Sequence, residues 1–220
     1  EQERSETLLL SIFPRAIAER LKISHAVIAE RSEDVSVLFA DITGFTPFAE
    51  RLPAEEVVVL LDQIFSAFDE LVARHGLEKI KTIGDGYLAA AGLPTPRADH
   101  AEATARLALA MRQALAELPV ASSLSLRIGI DSGPVVAGVI GRTKFGYDVW
   151  GDTVNTASRM QSYAAPGTIQ VTERTYRRLE EGFVFEQRAG AREDRLRERH
   201  ELEDLRHRAL RLHLTAREGH

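Results

Sequence analysis

The stretch Leu77–Ala91, LEKIKTIGDGYLAAA, decides how this chain is built. Two short apolar runs, Leu77–Ile83 and Tyr87–Ala91, flank Gly84-Asp85-Gly86, and a glycine-rich link between such runs is a hairpin signal. A hairpin inside a chain that also alternates strands with helices favours a mixed sheet over a purely parallel one. Within the first run Lys81 stands between Ile80 and Thr82, where its ammonium needs either solvent or an acceptor.

Toward the N-terminus, Pro53–His75 has a helical pattern, with Pro53 at the start, Glu55 and Glu56 in the first turn and Gly76 as terminator. Before it, Asp34–Asp41 (DVSVLFAD) reads as a strand ending on a carboxylate, and Thr43-Gly44-Phe45-Thr46 as a turn. Ser5–Ser24 reads as an amphipathic helix through Leu8, Ile12, Ile17 and Leu21, interrupted at Pro14. Toward the C-terminus, Asp99–Glu117 is an alanine-rich helix. Leu124–Ile130 and Val135–Ile140 read as a second pair of strands around Ser132-Gly133-Pro134. Lys144–Val149 reads as a strand, Gly151–Ala164 as a helix and Thr168–Val171 as a short strand. The tail from Ala189 to His220 is dense in Arg, Glu and His, the composition of a solvated helix or a partly disordered segment.

The 220 residues suffice for one well-cored domain with an additional helix or tail. A net charge of -5 argues against non-specific nucleic-acid binding. The absence of cysteine excludes disulfides and thiolate metal sites and permits a reducing compartment. No apolar run has the length needed to cross a bilayer. The opening carries neither an initiator Met nor a signal-peptide pattern, so the chain reads as a piece of a longer protein, with room upstream for a sensor or membrane part.

Two carboxylates end apolar strands. Asp41 closes Val35–Ala40, and Asp85 lies in the turn after Ile80–Ile83. Two such groups on neighbouring strands can share hard cations that bridge to phosphates; equally, Asp41 can cap a turn and Asp85 can be an ordinary hairpin residue. Gly44 allows backbone N–H groups to approach a phosphate, although most such turns bind nothing. Asn155 and Arg159 lie four apart on one helix and share a face. They suit a ribose and a phosphate respectively, or simply a polar surface. Asp148 interrupts an apolar strand end. The seven histidines show no metal-binding spacing; His25, His75 and His100 read as surface or helix-end residues.

Together, Leu38–Thr46 (LFADITGFT), Glu78–Tyr87 (EKIKTIGDGY), Leu126–Gly138 (LRIGIDSGPVVAG) and Tyr147–Met160 (YDVWGDTVNTASRM) resemble the class III adenylyl and guanylyl cyclase family, adenylyl type, in the family's order. The resemblance spans Asp34–Phe185. It implies an α+β fold with a ferredoxin-like βαββαβ core, its mixed sheet flanked by helices. A helical coupling segment over 1–30, a catalytic domain over 31–186 and a divergent charged tail over 187–220 follow from it. It also implies a head-to-tail homodimer with two shared active sites, ATP as substrate and two divalent cations, Mg2+ or Mn2+. By position, Asp41 and Asp85 match the metal-binding aspartates, with the backbone of Ile42 also facing a metal. Lys81 and Asp148 match the adenine-reading pair, Asn155 the ribose-orienting residue and Arg159 the transition-state arginine. Arg127 matches a phosphate-contacting arginine, and Gly44, Phe45 and Thr46 the loop over the phosphates.

The resemblance implies conversion of ATP to 3′,5′-cyclic AMP and pyrophosphate, on the cytosolic side where ATP is found. Guanylyl cyclases of the family typically carry Glu and Cys at the positions of Lys81 and Asp148. The signature of diguanylate-type cyclases does not match Gly84–Tyr87. The alternatives are a weak or inactive cyclase-like dimerisation or regulatory module, although all six motif positions are retained, and a guanylyl cyclase. Beyond Phe185 the family often has a Lys-Gly-Lys-Gly strand with a phosphate-binding lysine, and no such stretch is present.

Overall fold

The computed structural model describes residues 9–10, 12–23, 28–119, 123–141, 146–187 and 209–213. In chain order these form α1 (Arg15–Ile23), β1 (Ile28–Thr43), α2 (Phe45–Ala49), α3 (Ala54–His75), β2 (Glu78–Ile83), β3 (Gly86–Ala91), α4 (His100–Glu117), β4 (Ser125–Ile140), β5 (Gly146–Trp150), α5 (Asp152–Ser162), β6 (Ile169–Thr172), α6 (Glu173–Tyr176), β7 (Val184–Gln187) and β8 (Ala209–His213). The run β1-α3-β2-β3-α4-β4 is the expected βαββαβ core. The sheet order is β2-β3-β1-β4-β6-β8-β7, with β5 also on β4. Only the β4–β6 pairing is parallel among the described ladders, which makes the sheet mixed.

The alternation of β1 sorts its side chains. Leu38, Ala40 and Ile42 enter a core closed by Leu60, Ile64, Phe68 and Val72 of α3 and by Leu107, Met111 and Leu115 of α4. Val35 and Val37 enter a second core with Val135, Ala137 and Val139 of β4, Tyr147 and Val149 of β5 and Val154 and Ala157 of α5. Asp41 continues the second set, so it emerges on the face that carries α5.

Three expectations are corrected. Ser132-Gly133-Pro134 is not a turn, because β4 runs unbroken from Ser125 to Ile140 and pairs with β1 along its length. Pro134 is tolerated there because the β1 register shifts between Ser32 and Val35, the β6 ladder has ended at Ile130 and the β5 ladder begins at Val136. His100 is at a helix end as expected, beginning α4, and the surface alternative is corrected because the residue is buried. Of the charged tail, 209–213 is a strand between β6 and β7 and not a solvated helix. The other tail histidines, Leu8, His25 and the position expected for a Lys-Gly-Lys-Gly strand lie outside the described residues.

Phe13, Ile17 and Ala18 at the N-terminal helix are buried against this chain's own second core, while Ile12 is exposed. Among the described residues no helix is long and apolar enough to cross a membrane.

Candidate active site

Asp41 is the last β1 residue paired with β3, opposite Gly86, and on its other side it faces Arg127 of β4. This brings Asp41, Asp85 in the β2–β3 turn and Arg127 to one end of the sheet. The Arg127 guanidinium donates to Asp41 Oδ2. Burial, followed by the charge of Asp41, raises the Asp85 carboxyl above the ordinary range; its own backbone N–H and the charge of Arg127 oppose this. Arg127 Nε and the neighbouring hydroxyl of Thr43 are buried without a hydrogen-bond partner.

Two carboxylates whose charges oppose each other form an all-oxygen donor set suited to hard divalent cations. Among the described residues no three His, Asp or Glu side chains gather as a complete metal cage. That fits an ion such as Mg2+, which takes one or two protein carboxylates and completes its shell with water and substrate phosphates. Ile42 lies past the end of the β3 ladder, and its side chain is buried, so any contribution from it comes from its backbone.

Gly44 follows β1 with φ 83°, the left-handed region that favours glycine, and the chain turns there into α2. Phe45 is buried in the first core, so its ring fastens the turn. Thr46 is exposed. The N–H groups of Phe45 and Thr46 head a short helix, where no intrahelical acceptor exists for them.

A second group lies between β2 and β5. Lys81 Nζ donates to Asp148 Oδ2 at 2.5 Å, and Asp148 Oδ1 accepts from the N–H of Val149 at 2.9 Å. The side chains are 43% and 24% exposed, so the pair is reachable by a ligand. Asn155 and Arg159 project from the exposed side of α5. That helix lies directly on β4 at Gly129, where an added Cβ would collide with Ala157 O and Gln161 N. Sequence reading passed over Asp131, a carboxylate inside the apolar run of β4. The signal was the same one that drew attention to Lys81.

This end-of-sheet carboxylate pair, flanked by a phosphate-compatible turn and a separate Lys–Asp pair, can be compared with known proteins. Residues 27–200 match the family model described as adenylate and guanylate cyclase catalytic domain. The chain belongs to that family. The match continues past Phe185, beyond the four motifs. An adenylate cyclase of Mycobacterium tuberculosis is 50% identical over 191 residues, covering 86% of this chain and 43% of that protein. The catalytic core of a rhodopsin-guanylyl cyclase with converted specificity, solved with ATPαS, is 34% identical with a TM-score of 0.75, covering 86% of this chain and 98% of that one. A non-canonical dimeric guanylyl cyclase domain of the RhoGC fusion protein from the aquatic fungus Blastocladiella emersonii is 36% identical with a TM-score of 0.68, covering 71% of this chain and 89% of that one. This cyclase domain therefore has both adenylyl and guanylyl relatives, and it spans less than half the length of the curated relatives it matches.

Proposed function

We propose that this chain is the catalytic domain of an adenylyl cyclase, converting ATP to 3′,5′-cyclic AMP and pyrophosphate at two sites shared by two head-to-tail copies. The observation that carries the reading is the Lys81–Asp148 pair. Adenine presents an acceptor at N1 and a donor at N6. A lysine donor beside an aspartate acceptor complements that pattern, whereas guanine reverses it with an acceptor at O6 and a donor at N1. Leaving either protein group unpaired under the wrong base costs about 1–3 kcal/mol.

Asp41, Asp85 and the Ile42 backbone of one copy would hold two divalent cations, Mg2+ or Mn2+. When bound, these ions acidify the ribose 3′-hydroxyl and neutralise the triphosphate. Arg127 and the N–H groups of the Gly44–Thr46 turn bind phosphate oxygens of the same nucleotide. The other copy supplies Lys81 and Asp148 to the base, Asn155 to the ribose and Arg159 to the α-phosphate, where charge develops as the 3′-oxygen attacks and pyrophosphate leaves. The reaction belongs on the cytosolic side, where ATP is found.

The test is product formation by the purified chain with ATP or GTP and Mg2+ or Mn2+ over a range of protein concentrations. Cyclic AMP, with specific activity rising as the chain associates, supports the reading. Cyclic GMP as the main product turns it into a guanylyl cyclase. No cyclic product at concentrations where the dimer is demonstrated leaves a regulatory module.

A further inference from the structure

The middle of β4 carries a buried charge that this reading does not use. Asp131 is 0% exposed, and a carboxylate removed from water persists only with strong partners. Its Oδ1 accepts from the N–H of Ser132 at 2.8 Å, from Thr172 Oγ1 at 2.6 Å and from Arg174 Nε at 2.6 Å, and its Oδ2 is paired with Arg174 Nη2. The Arg174–Asp131 contact is two-pronged, so it fixes the plane of the guanidinium as well as its distance.

That guanidinium extends to a third element. Arg174 Nη2 lies 3.6 Å from Oδ2 of Asp152, the first residue of α5. Beside it Thr153 Oγ1 donates to Pro134 O at 2.7 Å. Gly133 leaves room for both, since a Cβ there would stand 2.9 Å from Thr153 Oγ1 and 3.1 Å from Arg174 Nη1. The far half of α5 is seated on Gly129. The helix is therefore held at two points along β4, and its axis is set by both.

We propose that the Asp131–Arg174 pair clamps the N-terminus of α5 and thereby positions Asn155 and Arg159 for catalysis, which makes Arg174 a positioning residue; this rests on the cyclase reading above. Asn155 lies in the first turn of the helix and moves with the clamp. Arg159 follows one to two turns later, at about 1.5 Å of rise per residue. Misplacement of such groups by about 1 Å costs on the order of a hundredfold in rate.

The experiment compares Arg174→Gln, Arg174→Lys and Asp152→Ala with the unaltered dimeric chain, by kinetics with ATP and by amide hydrogen exchange over 152–162. Asp152 is largely exposed, so its variant tests the outer link without threatening the core. Arg174→Gln is expected to lower kcat about tenfold to a hundredfold with KM for ATP within about threefold. Arg174→Lys recovers part of the loss, and exchange quickens selectively in α5. In an Asn155→Ala background Arg174→Gln keeps only the part of its effect that runs through Arg159, so it adds less than it does alone. An unchanged kcat in Arg174→Gln, or amide exchange over 152–162 that stays as in the unaltered chain, overturns the positioning role. If Arg174→Gln does not fold, the same outcomes are read from Asp152→Ala. A wild-type chain that makes no cyclic nucleotide overturns the cyclase reading instead, and the exchange over α5 then decides whether the clamp exists.

Discussion

Arg127 and Asp41 stand opposite each other in the β1–β4 ladder, and the arginine is ion-paired with the carboxylate. The arginine expected at the phosphates thus rests on a carboxylate expected at a metal. On the proposed reading, a nucleotide–metal complex would offer each of them a stronger partner, and the pair would open by exchanging partners. Arg127→Ala is therefore expected to raise KM for ATP about tenfold to a hundredfold, while lowering the Mn2+ concentration needed for half-maximal rate. A metal titration at saturating ATP checks this, and no change in either constant contradicts it.

Base choice is predicted to follow Lys81 and Asp148. Replacing them together, Lys81→Glu with Asp148→Cys, reverses the donor and acceptor pattern. The ratio of kcat/KM for ATP to that for GTP is expected to fall by about a hundredfold or more. Parallel assays with both nucleotides measure it, and a ratio that stays put removes the pair from base reading.

Shared sites predict complementation. Asp41→Ala and Arg159→Ala are each expected to be nearly inactive. In an equal mixture half the dimers are mixed, and each of these contains one intact site. Activity of about a quarter of wild type is expected. Silence of the mixture, with exchange of chains demonstrated, argues against the head-to-tail arrangement.

Gly129→Ala places a methyl group against the backbone of α5 at Ala157 and Gln161, and no side chain can yield to make room. Backbone must shift, at a cost of about 3 kcal/mol or more. Soluble yield and thermal unfolding report this, and a variant as stable as the parent would mean that α5 does not rest on β4 as described.

Glu78 supplies a pH dependence of stability. Burial pushes its carboxyl up to about 7. The folded chain therefore binds the proton more tightly than the unfolded chain does. Stability is predicted to fall as pH rises from the ordinary glutamate range to about 7. The loss, discounted for partial exposure, is about 1–2 kcal/mol. Glu78→Gln mimics the protonated form, so it is expected to raise the melting temperature at pH 8 and leave it nearly unchanged near pH 4. Equal shifts at both pH values would refute the assignment.

The hairpin and the long helices were legible because their signals are local. Gly84-Asp85-Gly86 between two apolar runs and the 3.6-residue pattern of Ala54–His75 each declare themselves within a few residues, whereas the strand read as Asp34–Asp41 runs from Ile28 to Thr43 because its pairing with β4 extends it at both ends. The four ordered motifs further determined the family, and Lys81 was conspicuous as a cation in an apolar strand.

Other features depended on neighbours far along the chain. Ser132-Gly133-Pro134 has the composition of a turn, yet it stays extended because β1 pairs on both sides of it and shifts register beside the proline. His100 looks like a surface group until Ser36 Oγ is found 2.8 Å from its Nδ1 in a buried setting. Lys81 meets Asp148 across 67 residues, and Asp131 meets Arg174 across 43. Side-chain periodicity reports which face of an element is apolar, but a buried charge is stable only if a partner from another element reaches it. By itself the sequence determined the hairpin, the long helices, the family and the candidate chemistry. Only the tertiary structure decided which charges face each other and where α5 is held, because those pairings are made by packing between distant segments.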